Sequence, residues 1–319
     1  MKKILITGAT GFAGSFLAEY LTAQEDCEVY GTSLSETFPQ SIISLKEKLH
    51  LVGVDLQDFE RVKRIIGEIK PDEIYHLAAL ASPTKSFANP VETITNNVAI
   101  EINLFEAVKF HSLFQTKILI TSSAEVYGIV DKNDLPMDED TPLRPTSPYA
   151  VSKIAQDFLG FQYHQAAKLH IIRVRPFNHI GPRQTPQFVV ARFASQIVDI
   201  EKGKIEPIIR VGNLDTKRDF TDVKDMVRAY RMILEKGTPG EVYNIGSGVS
   251  YKISDILEKL LSLSTVKVTV EKDPNLYRPA DNPELVCDCS KMKQMTGWEP
   301  KVSLDETLKN TLDYWRSIE

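Results

Sequence analysis

Lys3-Ile4-Leu5-Ile6-Thr7-Gly8-Ala9-Thr10-Gly11-Phe12-Ala13-Gly14 is the stretch on which the fold turns. Lys3–Thr7 is β-rich, and Phe12–Ala23 carries helical periodicity, so the run reads as strand, glycine loop and helix. At the start of such a helix the free backbone N–H groups and the helix dipole can hold a pyrophosphate. The three glycines allow a tight turn, close approach of phosphates and close packing of the helix. The spacing is G-x-x-G-x-x-G, which differs from the common G-x-G-x-x-G fingerprint, and it lacks the Gly-Lys-Ser/Thr ending of a P-loop. A purely structural turn is the alternative for such a loop taken alone.

Working outward, short β-rich runs alternate with helical stretches, the pattern of parallel βαβ units. Strands are expected at Glu28–Thr32, Leu49–Val54, Glu73–Leu77, Lys117–Thr121 and His170–Arg175. Helices are expected at Asp58–Lys70, Pro90–Phe110 and Pro148–Lys168. This is an α/β chain with a doubly wound parallel sheet. After Arg175 the texture changes to proline-punctuated loops, with helices near Val189–Lys202, Val223–Lys236 and Leu304–Ile318 and a strand near Glu241–Ile245. Residues 1–175 are read as a dinucleotide-binding domain. Residues 176–319 are read as a smaller lobe, interleaved with the first part and not folding alone.

Composition narrows the function classes. At 319 residues the chain can bury a sizeable core. No apolar stretch approaches the roughly 20 residues of a membrane span, so a cytoplasmic protein is expected. The net charge of −5 leaves no footprint for nucleic acid, so an anionic ligand must be met by specific arginines. Cys27, Cys287 and Cys289 make neither a metal-ligand set nor a disulfide framework, and no metal is expected.

The residues after the second strand bear on the choice of dinucleotide. An acidic group there would bind the ribose 2′-OH of NAD and repel the extra phosphate of NADP. Tyr30–Ser35 carries none. Thr32 and Ser33 offer hydroxyls to a 2′-phosphate, although no arginine stands beside them in sequence, and the expected cofactor is NADP with NAD as the alternative. Asp55 and Leu56, past the third strand, sit where a carboxylate can accept from an adenine amino group. A helix N-cap is the competing role for Asp55.

Tyr149 and Lys153 lie one helical turn apart. The ammonium is expected to favour the phenolate and bring the tyrosine pKa down toward working pH. Alone, Tyr-x-x-x-Lys is an ordinary pair on a solvated helix. Here it follows both a glycine loop and Thr121-Ser122-Ser123 at the C-terminal end of a strand, which in a doubly wound sheet faces the ligand crevice.

Gly8–Gly14, His76-Leu77-Ala78-Ala79, Ser122–Gly128, Tyr149 with Lys153, and Arg175–Pro182 together resemble the extended short-chain dehydrogenases/reductases, the NAD-dependent epimerase/dehydratase family, along nearly the whole chain. The resemblance implies a Rossmann-type fold, a catalytic hydroxyl at Ser123, an acid/base tyrosine at Tyr149 and its partner at Lys153. It places the cofactor on Gly8, Thr10–Gly14, Thr32, Ser33, Asp55, Leu56 and Leu77–Ala79, and on Tyr149 and Lys153 themselves. Asn178 falls beside the sugar and diphosphate. His179 falls near the nicotinamide, with loop packing as its plainer role.

Within that family, Arg175–Pro182, Glu206–Leu214 and Arg218–Asp222 most resemble reductases of GDP-6-deoxy-4-keto-sugars. That resemblance implies a GDP-linked sugar substrate with Arg218 and Arg278 on its diphosphate and Arg192 as a third arginine. Surface salt bridges are the bland alternative for such residues. It also implies a homodimer through the helices near Pro90–Phe110 and Pro148–Lys168.

Ala124 stands where dTDP-glucose 4,6-dehydratases place an acid, which argues against that reaction. Glu125 remains and keeps a GDP-mannose-type dehydratase open as an alternative, with a 4-epimerase beside it. Hydrogen bonding within the loop is the other role for Glu125. A dinucleotide-binding regulator without turnover is disfavoured by the intact Ser123, Tyr149 and Lys153.

Overall fold

The computed structural model describes residues 1–277 and 282–318. The chain runs β1 (Lys2–Thr7), α1 (Phe12–Thr22), β2 (Cys27–Ser33), β3 (Leu49–Gly53), α2 (Phe59–Ile69), β4 (Glu73–His76), α3 (Pro83–Ala88), α4 (Pro90–Phe110), β5 (Lys117–Thr121), α5 (Pro148–Ala167) and β6 (His170–Pro176). It continues through β7 (Asn178–Ile180), α6 (Val189–Glu201), β8 (Ile208–Val211), β9 (Lys217–Asp222), α7 (Val223–Lys236), β10 (Val242–Ile245), β11 (Ser250–Lys252), α8 (Ile253–Ser262), β12 (Thr269–Lys272), β13 (Glu284–Leu285), α9 (Ser290–Thr296) and α10 (Leu304–Ser317).

The unbroken apolar run Ile4–Ile6 suits a strand covered on both faces, and all three residues are buried. Because side chains alternate along a strand, Ile4 and Ile6 join one core with α1 and α7. Leu5 joins the opposite core with α2 and α4. Local signals set the helix starts. Asp58 caps α2 by accepting from the Arg61 amide, and Val62, Ile65, Ile66 and Ile69 bury one face. Ser147 caps α5 by accepting from the Ala150 amide, with Pro148 in its first turn.

Among the described residues the main sheet has seven strands in the order β10-β6-β5-β4-β1-β2-β3. All its pairings are parallel. The chain reverses direction across the sheet between β1 and β4, which opens a crevice above their C-terminal ends. The lobe is built on β9, which pairs antiparallel with β11 and parallel with β13 and β7. Helices α6, α8 and α10 supply its apolar core.

The main-sheet strands and long helices fall within one or two residues of their sequence expectation. The lobe differs. Helix α8 is absent from the sequence expectation although Ile253, Ile256, Leu257 and Leu260 recur at helical spacing, and the strands around β9 carry no clear sequence signal, since β9 reads Lys-Arg-Asp-Phe-Thr-Asp and its partners have two or three residues. Strand β10 pairs with β6, so the main sheet draws on both 1–175 and 176–319.

Candidate active site

The crevice is a cleft of about 350 Å³ at the C-terminal ends of β1, β4, β5 and β6. Gly8, Gly11, Phe12, Ala13 and Gly14 form one wall. Gly8 turns with φ +70°, and a Cβ there would meet the Ala78 Cα at 3.0 Å. A Cβ on Gly14 would stand 2.1 Å from the Gly8 carbonyl oxygen. Helix α1 starts at Gly11 with no side-chain cap and no acidic residue in its first turn, so its amides and positive end are open to the cleft. This arrangement fits the pyrophosphate of a dinucleotide.

Thr7, at the end of β1, organises the next loop. Its hydroxyl oxygen accepts from the Leu77 and Ala78 amides, both at 3.1 Å, and lies 2.9 Å from His76 Nδ1. With its acceptor positions occupied, the hydroxyl proton goes to Nδ1, which leaves the His76 proton on Nε2. Leu77 and Ala79 line the cleft, while Ala78 backs Gly8.

The other wall holds the proton-bearing groups. Ser123, Ala124, Glu125, Tyr149, Lys153 and Asn178 all line the cleft. Ser123 follows β5, and its oxygen accepts from the Glu125 amide at 3.2 Å, which leaves the hydroxyl proton available to donate. Lys153 Nζ donates to the Thr121 carbonyl at 2.8 Å, and Ser122 Oγ donates to the Lys153 carbonyl at 3.1 Å. These two bonds fasten the first turns of α5 to the end of β5.

The expected lowering of the Tyr149 pKa by Lys153 does not occur. Burial pushes the phenol up to about 12, a hydrogen bond with Ser123 works against this, and the charge of Glu125 adds to it. The ammonium is instead directed at the Thr121 carbonyl. Burial brings Lys153 down to about 8, opposed by the attraction of Glu101. At neutral pH the phenol holds its proton and the lysine is charged.

Thr32, Ser33, Asp55 and Leu56 lie away from this cleft but beside one another, because Thr32 pairs with Val52 and Ser33 with Gly53. Thr32 and Leu56 are buried, Ser33 half-buried and Asp55 exposed. The N-cap reading of Asp55 is corrected: Asp58 caps α2, and Asp55 accepts from the Gln57 amide at 2.9 Å. An arginine does stand near Ser33, from beyond the stretch read in sequence: Arg61 donates to the carbonyl of Gly53, the register partner of Ser33, at 2.8 Å. Thr10 is half-buried in the glycine loop.

The arginines diverge. Arg218 is buried in β9 and donates to the Lys217 and Asn282 carbonyls, each at 2.8 Å. It does not line the cleft, whereas Phe220, two residues on, does. Arg192 lies on the first turn of α6, next to the lining residues Val189 and Val190. Arg278 lies outside the described residues. His179 lines the cleft and stacks flat on Phe12, ring centroids 5.6 Å apart, which fits its packing role. Burial holds its imidazole below the ordinary range. Tyr230 and Gln184 also line the cleft with side-chain atoms that have no partner among the described residues. Sequence reading missed both, because each sits in a segment whose other residues face the core or a loop.

A sequence profile described as GDP-mannose 4,6 dehydratase matches residues 5–311. The GDP-6-deoxy-D-mannose reductase of Pseudomonas aeruginosa is 31% identical over 319 residues, covering 99% of this chain and 98% of the relative. A GDP-mannose 4,6-dehydratase of Vibrio cholerae is 31% identical over 344 residues, covering 96% and 91%. The solved structure of RMD from Pseudomonas aeruginosa complexed with NADPH is similar with a TM-score of 0.85 at 30% identity, covering 99% of both chains. A profile match along nearly the whole chain, on a fold whose glycine loop and Ser-Tyr-Lys set meet in one cleft, leaves one conclusion: the chain belongs to the GDP-mannose 4,6-dehydratase family of extended short-chain dehydrogenases/reductases.

Proposed function

We propose that this enzyme is an NADPH-dependent oxidoreductase that reduces the 4-keto group of a GDP-6-deoxy-4-keto-hexose, as a GDP-6-deoxy-D-mannose reductase does, with NADH as a second reductant. The observation that carries the reading is the meeting of Ser123, Tyr149 and Lys153 with the glycine loop over one cleft. Bound there, the reduced nicotinamide supplies the hydride. Ser123 donates a hydrogen bond to the carbonyl oxygen as negative charge grows on it, and Tyr149 gives the proton. Lys153 keeps a positive charge beside the developing anion and helps to seat the cofactor.

Asn178 and Glu125 are assigned to the sugar side of the cleft, and Arg192, Arg218 and Arg278 to the diphosphate. Residues 1–175 chiefly serve the dinucleotide and 176–319 the nucleotide sugar, with Glu125 reaching the sugar from the first part. Exposed Val151, Phe158 and Phe161 on α5 and Val91 on α4 support a homodimer through these helices. Three free cysteines support a reducing, cytoplasmic setting. No described helix is long and apolar enough to cross a membrane.

A GDP-mannose dehydratase is the second reading, favoured by Glu125 in the same cleft. Ala124 weighs against the dTDP-glucose reaction, since a methyl group has no proton to give. The test is incubation with the 4-keto-6-deoxy product of a GDP-mannose dehydratase and either reduced cofactor. The expected outcome is consumption of NADPH with formation of a 6-deoxyhexose, at a kcat/KM no lower than that with NADH. A preference for NADH above about tenfold, or ~1.4 kcal/mol, overturns the cofactor choice. Conversion of GDP-mannose or dTDP-glucose to a 4-keto product, followed by NMR, overturns the reductase assignment.

A further inference from the structure

Helices α4 and α5 touch turn by turn behind the cleft. Asn97 Nδ2 donates to Ser152 Oγ at 2.9 Å, and further along Tyr163 Oη donates to Glu106 Oε1 at 2.7 Å. Glu101 stands one turn after Asn97, between these contacts, and so faces the stretch Lys153–Asp157. It is fully buried, and neither carboxyl oxygen has a hydrogen-bond partner among the described residues. Gln156, one turn along α5, is equally buried with both amide atoms unbonded. Its amide is near enough to favour the ionised carboxyl but does not meet hydrogen-bond geometry. Buried polar groups almost always find partners, so packing alone gives no reason for a carboxyl at this position.

We propose that Glu101 is a positioning residue for the reaction, a buried counter-ion on α4 that keeps Lys153 charged as the pH rises above neutrality. The proposal rests on the role assigned to Lys153 above.

Burial pushes the Glu101 carboxyl well above the usual range, and attraction to Lys153 opposes the shift. Lys153, brought down to about 8, feels the same attraction in return. When this pair gives up one proton, the form that keeps the attraction is carboxylate with ammonium. Once ionised, the Glu101 carboxylate helps to hold the ammonium in its charged form. Asp157 on α5 works against the Glu101 carboxylate, but it is already paired with Arg173 and Arg175. Tyr163, also on α5, is pushed up by burial and by Glu106 and Glu101, and stays neutral. On β4, His76 is held neutral by burial and by Lys153, down to about 3, and offers no negative charge.

The experiment uses the full-length variants Glu101→Gln and Glu101→Met, each checked for folding, with Lys153→Met as a control. kcat for keto-sugar reduction is followed from roughly pH 6 to 10, across the ordinary lysine range. Loss of the carboxyl should move the alkaline limb of the profile to lower pH by about half a unit or more, with kcat near pH 6 changed less than about twofold. Thermal midpoints supply a readout independent of turnover. A carboxyl whose folded pKa is raised contributes stability that is present below its unfolded pKa and lost as pH climbs through the folded value. The midpoint of Glu101→Gln relative to the native chain should therefore rise as pH climbs above the ordinary carboxylate range. An unmoved limb in folded variants, or a flat difference in midpoint, overturns the proposal while an inactive Lys153→Met leaves the lysine assignment standing. A Lys153→Met protein of normal kcat removes that assignment, and the counter-ion role goes with it.

Discussion

Tyr149 holds its proton at neutral pH because burial outweighs the hydrogen bond from Ser123. That is the state in which a proton donor works, and it accords with the proposed reduction. Replacing Tyr149 with Phe keeps the ring and removes the acid. NADPH affinity, measured by fluorescence titration, should change little, while kcat falls on the order of 10²–10⁴-fold. Ser123→Ala should lower kcat with a smaller effect on cofactor affinity, since its hydrogen bond strengthens as charge develops. Lys153→Ala should damage both. Near-normal kcat in a folded Tyr149→Phe protein would rule out this chemistry. The three side chains were legible in sequence because each lies at a fixed offset from a strand end or a helix cap. The pKa values of Tyr149 and Lys153 were not, because both depend on burial and that of Lys153 also on Glu101, which arrives from a helix about 50 residues earlier.

The glycine loop depends on two elements approaching more closely than a side chain permits. An alanine at Gly14 would put its Cβ 2.1 Å from the Gly8 carbonyl, a backbone atom that cannot swing aside. Helix α1 would have to back away from β1 and take its open N-terminus with it. Gly14→Ala is expected to weaken NADPH binding at least tenfold, about 1.4 kcal/mol, in calorimetric titration, with a lower thermal midpoint. Unchanged affinity would mean that α1 does not hold the pyrophosphate. This loop and the main-sheet strands could be read from sequence because their patterns are local: an apolar run, a glycine spacing, a cap. Strand β9 could not, since Lys217–Asp222 is polar at five of its six positions and owes its conformation to partners near residues 179, 251 and 284. Arg218 illustrates the same limit. Its type and position point to a phosphate, while the two backbone carbonyls to which its guanidinium donates are supplied by the fold around it.

At the scale of the whole molecule, the cleft lies between a sheet supplied mostly by the first half of the chain and a lobe supplied by the second. Asn178, His179 and Phe220 reach it from the lobe side, and the glycine loop and α5 from the other. The sheet itself is completed late. Strand β6 ends at Pro176, and its neighbour β10 begins only at Val242, after three intervening strands and two helices. During synthesis, β6 therefore waits with one row of N–H and C=O groups unpaired until the ribosome has delivered first α7, which covers the apolar face that includes Ile172 and Val174, and then β10. A fragment ending at residue 175 should self-associate through that edge in sedimentation analysis, whereas one extended to residue 250 should do so less. The nascent chain thus passes through an aggregation-exposed interval lasting for the translation of some 65 residues, roughly 3–13 s at ordinary elongation rates, in which a chaperone has its clearest opportunity to act.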